Sequence, residues 1–269
     1  MSNRQKVRRK GGDGLKLPAA YVCLGIPSGA TWAAQFATSL WGMTIDSLMQ
    51  LTPGYSHIDL ALQNTRGSTL WTQRSKIMQD AVTRGCTHLL FVDSDQTFPP
   101  ATLRRLLAHK KPVVAANVAV KQIPAFPTAR KRPHNGGPPA PIFTTLESKG
   151  LEEVWRVGTG IMLIDLSIVQ ELPQPWFKVS WGDDDDQYGE DWWFCSLVEK
   201  AGIPIYIDHD LSWEVGHIGP MEYQHFHVPK ELVAESNKLW AEGGLETYSP
   251  TEAVEAAIER YAQGVENGS

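Results

Sequence analysis

The sequence predicts an α/β fold, with a mostly parallel central sheet flanked by helices, a loop-rich insertion and a helical C-terminal tail. Three observations predict it. Short apolar runs alternate with segments of helical spacing through the first 120 residues, the pattern of strand–helix units that build a parallel sheet covered on both faces. Residues 133–150 then become dense in Pro and Gly and lose periodicity. Helical spacing returns at 190–201 and again after residue 230.

Each element has its own local reason. Residues 20–26 (AYVCLGI) read as a buried strand that ends at Pro27, Ser28 and Gly29. Residues 31–51 place Trp32, Phe36, Leu40 and Trp41 on one side of a helix. Residues 57–62 alternate as a second strand, and 69–84 form a helix stopped by Gly85. Residues 88–92 (HLLFV) are a third strand. Pro99 and Pro100 open a helix running to 109, since proline is tolerated in a first turn. Residues 112–118 are a fourth strand. Further strands are expected at 153–157 and 161–165, around a Gly158-Thr159-Gly160 turn compatible with a tight hairpin. A helix at 190–201, a strand at 203–207 and a short strand before His217 follow. The tail from 230 to 263 holds two helical stretches separated by Gly243-Gly244. The chain thus divides into a basic N-terminal tail (1–17), one catalytic-size domain (18–228, with halves 18–120 and 121–228) and a helical extension (229–269).

Composition limits the function classes. With 42% hydrophobic and 20% charged residues, the 269-residue chain is of ordinary globular type, which excludes collagen-like, wholly disordered and coiled-coil readings. The longest nearly apolar run, 112–120, is too short to cross a bilayer, and the N-terminus lacks the apolar core of a secretory signal. A cytoplasmic location is therefore expected. Cys23, Cys86 and Cys195 lie in or beside apolar stretches and read as buried free thiols. A net charge of −5 argues against a generally basic nucleic-acid coat. Two basic segments stand apart: residues 1–16, with Arg4, Lys6, Arg8, Arg9, Lys10 and Lys16, and residues 130–134, with Arg130, Lys131, Arg132 and His134. They are solvated segments or handles for a polyanion.

Four constellations carry candidate chemistry. Asp93-Ser94-Asp95 directly follows the third strand, and ligands of open α/β sheets bind beyond the carboxyl ends of strands. Carboxylates there suit a hard divalent cation, Mn²⁺ or Mg²⁺; a polar turn with a capping Asp is the plainer reading. Arg74 lies on the preceding helix, where a guanidinium suits a diphosphate. Glu190 and Asp191 open a helix. A cap role accounts for Glu190, whereas Asp191 shares helical spacing with Phe194, Cys195 and Val198 and is expected to point inward, as a general base would. His217 sits between glycines after the last strand, with His225 and His227 as nearby alternatives. Five of the ten tryptophans lie between Trp176 and Trp213, residues that either stack on sugar rings or fill the core.

The run from Gln73-Arg74-Ser75 to Asp93-Ser94-Asp95, with Gly158-Thr159-Gly160, Gly189-Glu190-Asp191 and Gly216-His217, resembles the GT-A glycosyltransferases of the family 2 and mannosyltransferase type. The resemblance spans about residues 20–219. It implies a Rossmann-like GT-A fold and transfer of a sugar from a UDP- or GDP-linked donor to a hydroxyl, by inversion or retention, inversion being the reading favoured. Pro27, Ser28, Arg74, Asp93, Ser94, Asp95 and Gly160 would line the donor site. Asp93, Asp95 and His217 would hold Mn²⁺ or Mg²⁺, and Asp191, with Glu190, would be catalytic. Arg74-Ser75 departs from the family's Arg-Asn or Arg-Asp, and the acidic residues 183–186 have no counterpart. The acceptor is a glycan, or DNA reached through the basic segments 1–16 and 130–134.

Two other classes compete. Asp93-Ser94-Asp95-Gln96-Thr97 also matches the Asp-x-Asp-x-Thr signature of haloacid-dehalogenase phosphatases, with Asp93 as nucleophile, Lys178 as the neutralising cation and Gly182-Asp183-Asp184 as the late acidic motif. Its position after two strand–helix units argues against that match. The third class is a non-catalytic module that binds a nucleotide or polyanion.

Overall fold

The computed structural model describes residues 17–67, 69–133, 138–181, 187–220 and 222–241. Its elements in chain order are β1 (Ala20–Ser28), α1 (Ala34–Met49), β2 (Ile58–Arg66), α2 (Leu70–Thr83), β3 (His88–Val92), β4 (Gln96–Thr97), α3 (Thr102–Ala108), β5 (Val113–Ala115), β6 (Leu151–Val154), β7 (Ile161–Asp165), β8 (Ser180–Trp181), β9 (Gln187–Tyr188), α4 (Glu190–Lys200), β10 (Ile205–Asp208), α5 (His209–Glu214), β11 (Gly216–Ile218), β12 (Glu222–Tyr223) and α6 (Lys230–Ala241).

The central sheet has seven strands in the order β2-β1-β3-β7-β5-β10-β6. It is mixed. β2, β1, β3, β5 and β10 run one way, while β7 and β6 run the other. The expectation of a mostly parallel sheet is corrected here for the second half of the chain. The strand–helix alternation that implies parallel crossovers ends at β5, and the long irregular segment after it lets the chain return in either direction. β7 accordingly enters between β3 and β5, antiparallel to both. The hairpin expected around Gly158-Thr159-Gly160 is also absent, because β6 pairs with β10 at the far edge and not with β7. Strands from residues 18–120 and from 121–228 share this one sheet.

Burial on both faces explains the apolar runs. Val22, Leu24 and Ile26 of β1 pack with Phe36 and Met43 of α1 and with Leu103 and Leu106 of α3. Cys23, Leu89 and Phe91 face the opposite side, with Ile77 and Met78 of α2 and Phe194 and Val198 of α4. Each fully buried side chain of this kind contributes about 1.5–3 kcal/mol of hydrophobic transfer energy. All three cysteines are buried and unpaired. Burial pushes the Cys23 and Cys195 thiols up to about 12, so neither is a nucleophile at neutral pH.

β2 outruns its expected end at residue 62 and continues to Arg66, in parallel register with β1 as far as Ser28. A second sheet, β12-β11-β4, is small but consequential. β11 pairs antiparallel with β4, setting His217 opposite Gln96 and Gly216 opposite Thr97. Of the expected C-terminal helices, the first is α6; the second lies outside the described residues, as do the basic tail 1–16 and the acidic run 183–186. Among the described residues, no helix is long and apolar enough to cross a membrane.

Candidate active site at the carboxyl ends of β1 and β3

β1 and β3 are parallel neighbours, so their carboxyl ends open on the same edge of the sheet. Pro27 and Ser28 are the last residues of β1 and are buried, inside the strand and not beyond it. The Ser28 amide donates to Gln73 Oε1 at 2.8 Å, and Asn64 Nδ2 donates to Ser28 Oγ at 2.8 Å. The end of β1 is thereby fixed to α2 and β2.

Arg74, one residue beyond Gln73, is only 2% exposed. It does not lie on a solvated helix face. Its Nη2 donates to both oxygens of Asp93, at 2.7 and 3.0 Å, and its Nη1 donates to Glu190. Burial disfavours the guanidinium charge, but Asp93 and Glu190 outweigh it and hold the pKa above the ordinary arginine value. One arginine thus ties together α2, the end of β3 and the start of α4, three elements that the sequence motifs single out separately.

This arrangement bears on two assignments. Asp93 is turned toward Arg74 and is not grouped with Asp95 and His217 as a metal ligand. Glu190 is paired with the same guanidinium. Asp191 differs. Desolvation, reinforced by the Glu190 charge, pushes its carboxyl up to about 6 despite the opposing Arg74. Its Oδ1 accepts the Trp192 amide at 2.7 Å. A carboxylate with a pKa near neutral at a helix start has the properties of a general base.

Asp95 and His217 form the second half of the site. The Ala119 carbonyl can only accept, so His217 Nδ1 carries the proton and donates to it at 2.9 Å. Nε2 then faces Asp95 Oδ1, 3.5 Å away. Despite partial burial, bonding to His217 and Lys121 lowers the Asp95 carboxyl to about 2. The β4–β11 ladder sets this approach, and the Asp95 carbonyl accepts the Ile218 amide at 2.7 Å. A Cβ on Gly216 would meet the Glu222 carboxylate and lie 2.6 Å from Thr97 Oγ1, so a side chain there would have to displace both. His225 and His227 are directed elsewhere. His225 is buried and donates from Nε2 to the Asn117 carbonyl, and burial lowers its pKa to about 4. His227 accepts the Gln224 amide.

Gly160 faces this cluster. A Cβ on it would stand 3.4 Å from Gln96 Nε2 and 3.6 Å from Asp93 Oδ2. Gln96 is 1% exposed, and its Oε1 has no partner; neither does Oγ1 of buried Thr159, next to Gly160, nor Nε of Arg74. Buried polar atoms left unsatisfied cost about 1–3 kcal/mol each, and three of them lie on residues of this cluster or directly beside it. Ser94 lies in the turn between the two carboxylates, partly exposed.

Sequence reasoning missed Gln96, Thr159 and Lys121. Gln96 stood within the Asp-x-Asp-x-Thr string, but its β-pairing with His217 has no local signal. Lys121, whose Nζ contacts Asp95 Oδ2 at 2.5 Å, follows a strand without any motif.

An implied Mn²⁺ or Mg²⁺ fits Asp95 and His217 in part. One carboxylate oxygen and one imidazole nitrogen lie close together, with the ring oriented from behind by a carbonyl, as in well-formed metal sites. Among the described residues, no three His, Cys, Asp or Glu side chains converge as a cage. Two protein ligands suffice for a hard cation that takes its other positions from phosphate oxygens and water.

The other predicted features resolve as follows. Lys178 lies over the Trp193 ring at 3.7 Å. Both oxygens of Asp93, the nucleophile of the phosphatase reading, are engaged by Arg74. In the basic segment, Arg130 donates to the Pro127 and Ala129 carbonyls and Arg132 pairs with Glu199. Trp193 packs against the core and donates to the Pro175 carbonyl, whereas Trp192 stacks on Tyr188 and meets Trp155 edge-on. Trp155, Tyr188, Trp192 and Trp193 line a cavity of about 260 Å³ alongside α4.

No protein-family model matches this chain, and no curated protein matches it. Among solved structures it is similar to one titled "Crystal Structure of A197 from STIV", with a TM-score of 0.47 and 16% identity over 74% of this chain and 86% of that one.

Proposed function

We propose that the protein is a GT-A-type, metal-dependent glycosyltransferase that moves a sugar from a nucleoside-diphosphate donor to a hydroxyl acceptor. The observation that carries this reading is the convergence of Asp95 and His217 next to the Arg74–Asp93–Glu190 cluster at the carboxyl edge of the sheet. Pro27, Ser28 and Gly160 border the donor space. Bound Mn²⁺ or Mg²⁺ would supply Lewis-acid stabilisation of the leaving diphosphate. Arg74 holds Asp93 and Glu190 in place, so the rim of the pocket is set before substrate arrives. Asp191 takes the proton of the acceptor hydroxyl at its carboxylate, a role its raised pKa suits at neutral pH. The aromatic cavity beside α4 favours a saccharide acceptor, since indole and phenol faces stack on sugar rings.

The test is calorimetry of UDP and GDP binding with and without Mn²⁺. Manganese-dependent binding of one nucleotide, lost in Asp95→Ala and His217→Ala, is the expected result. Absence of binding by either nucleotide to the folded, Mn²⁺-supplied protein would overturn the proposal.

A further inference from the structure

The two oxygens of Asp95 have different partners. Oδ1 faces His217 Nε2 at 3.5 Å, and Oδ2 is held by the Lys121 ammonium. Both contacts trace to one loop beyond β5: Ala119 presents the carbonyl that orients His217, and Lys121, two residues on, reaches back to the carboxylate. The backbone of this loop is anchored. The Val120 amide donates to the Phe126 carbonyl at 2.8 Å, and the Thr128 amide donates to the Val118 carbonyl at 3.1 Å. The orientation of His217 therefore does not depend on Lys121. The lysine side chain itself is 35% exposed, on a four-carbon stem that can swing without moving the loop.

We infer that Lys121 is the resident counter-ion of Asp95, that it yields the carboxylate to an arriving divalent cation, and that it then pairs with the donor's phosphates. This rests on the glycosyltransferase reading of the site. A partly exposed carboxylate between an imidazole and an ammonium is neutralised in the free protein. Asp95 would hold a divalent cation only with the Lys121 ammonium moved aside, since two added positive charges on the same carboxylate would repel it. A diphosphate bound together with the cation would supply the compensating anion for the displaced ammonium. Lys121 thus opposes binding of the metal alone and favours binding of metal with nucleotide, which selects for the complete donor complex.

The test measures Mn²⁺ affinity by electron paramagnetic resonance, with the metal alone, in the wild type and in Lys121→Met, Lys121→Arg and Asp95→Ala. Removing an ion pair of up to about 1 kcal/mol corresponds to about fivefold in affinity. Lys121→Met is expected to bind Mn²⁺ about fivefold more tightly than wild type, and Lys121→Arg, which keeps the charge, much less so. With Mn²⁺ at saturation, Lys121→Met is expected to bind UDP or GDP more weakly. Mn²⁺ affinity that is unchanged or weaker in Lys121→Met overturns the inference. If Asp95→Ala still loses the metal in that case, the cation site stands and only the role of Lys121 fails; if Asp95→Ala binds Mn²⁺ as wild type does, the site reading fails with it.

Discussion

His217 presents Nε2 to Asp95 Oδ1 at 3.5 Å because its other ring nitrogen is committed to the Ala119 carbonyl. The two residues lie far apart in sequence and meet through one antiparallel pairing, β4 with β11. Gly216 lies in that pairing, and a side chain on it would have to displace Glu222 and Thr97.

Gly216→Val is therefore expected to displace β11 and separate His217 from Asp95. Overpacking of this kind costs about 1–3 kcal/mol. Thermal melts and Mn²⁺ titration check the two effects together. The variant should retain its fold, melt a few degrees lower and lose more metal affinity than a surface substitution of equal destabilisation.

Arg74 is a buried cation between two carboxylates. Arg74→Ala leaves Asp93 and Glu190 close together without their counter-ion, at a cost of about 3–5 kcal/mol. Chemical denaturation should register that loss. Arg74→Lys keeps the charge but not the planar fork, so it should recover part of the stability and little of the activity.

Asp191 sets a pH dependence whose sign can be worked out. Its carboxyl is raised from 3.8 to about 6, so the native state holds a proton that the unfolded state has already lost between those values. This residue's contribution to stability therefore falls as pH rises from about 4 to about 6, and Asp191→Asn should melt higher than wild type at pH 7. Activity moves the opposite way. The transfer rate should rise through about pH 6 as Asp191 ionises, and Asp191→Asn should abolish that rise and lower kcat by about 10²–10⁴.

The two enzymatic readings separate at Asp93. Its oxygens are both engaged by Arg74, so the wild type is expected not to hydrolyse p-nitrophenyl phosphate in the presence of Mg²⁺. Mg²⁺-dependent hydrolysis lost in Asp93→Asn would favour the phosphatase instead.

The first half of the fold was legible because its signals are local. HLLFV is a buried strand by composition and length, and β3 occupies the predicted residues. The Asp-x-Asp, Glu190-Asp191 and Gly-His motifs were legible too, as was their order. What they touch was not. No local signal shows that Arg74 bridges Asp93 and Glu190, because the partners come from β3 and α4. The strand order failed for the same reason. β7 sits between β3 and β5 through pairings that leave no periodicity in either partner, and the glycines at 158 and 160 that suggest a hairpin instead lead the chain past Asp93. Lys121 lies outside every motif and Gln96 fills an unspecified position of one, yet they contact the site residues directly or through the β-ladder.

The central claim is that Asp95 and His217 together hold the cation of a nucleotide-sugar donor. Anomalous diffraction from crystals grown with Mn²⁺ and UDP or GDP tests it most directly. The account predicts a manganese peak in coordination contact with Asp95 Oδ1, His217 Nε2 and the diphosphate, with Asp93 still bound to Arg74. A nucleotide seated at the site with no manganese between it and these two residues, or manganese bound at another place, would contradict it.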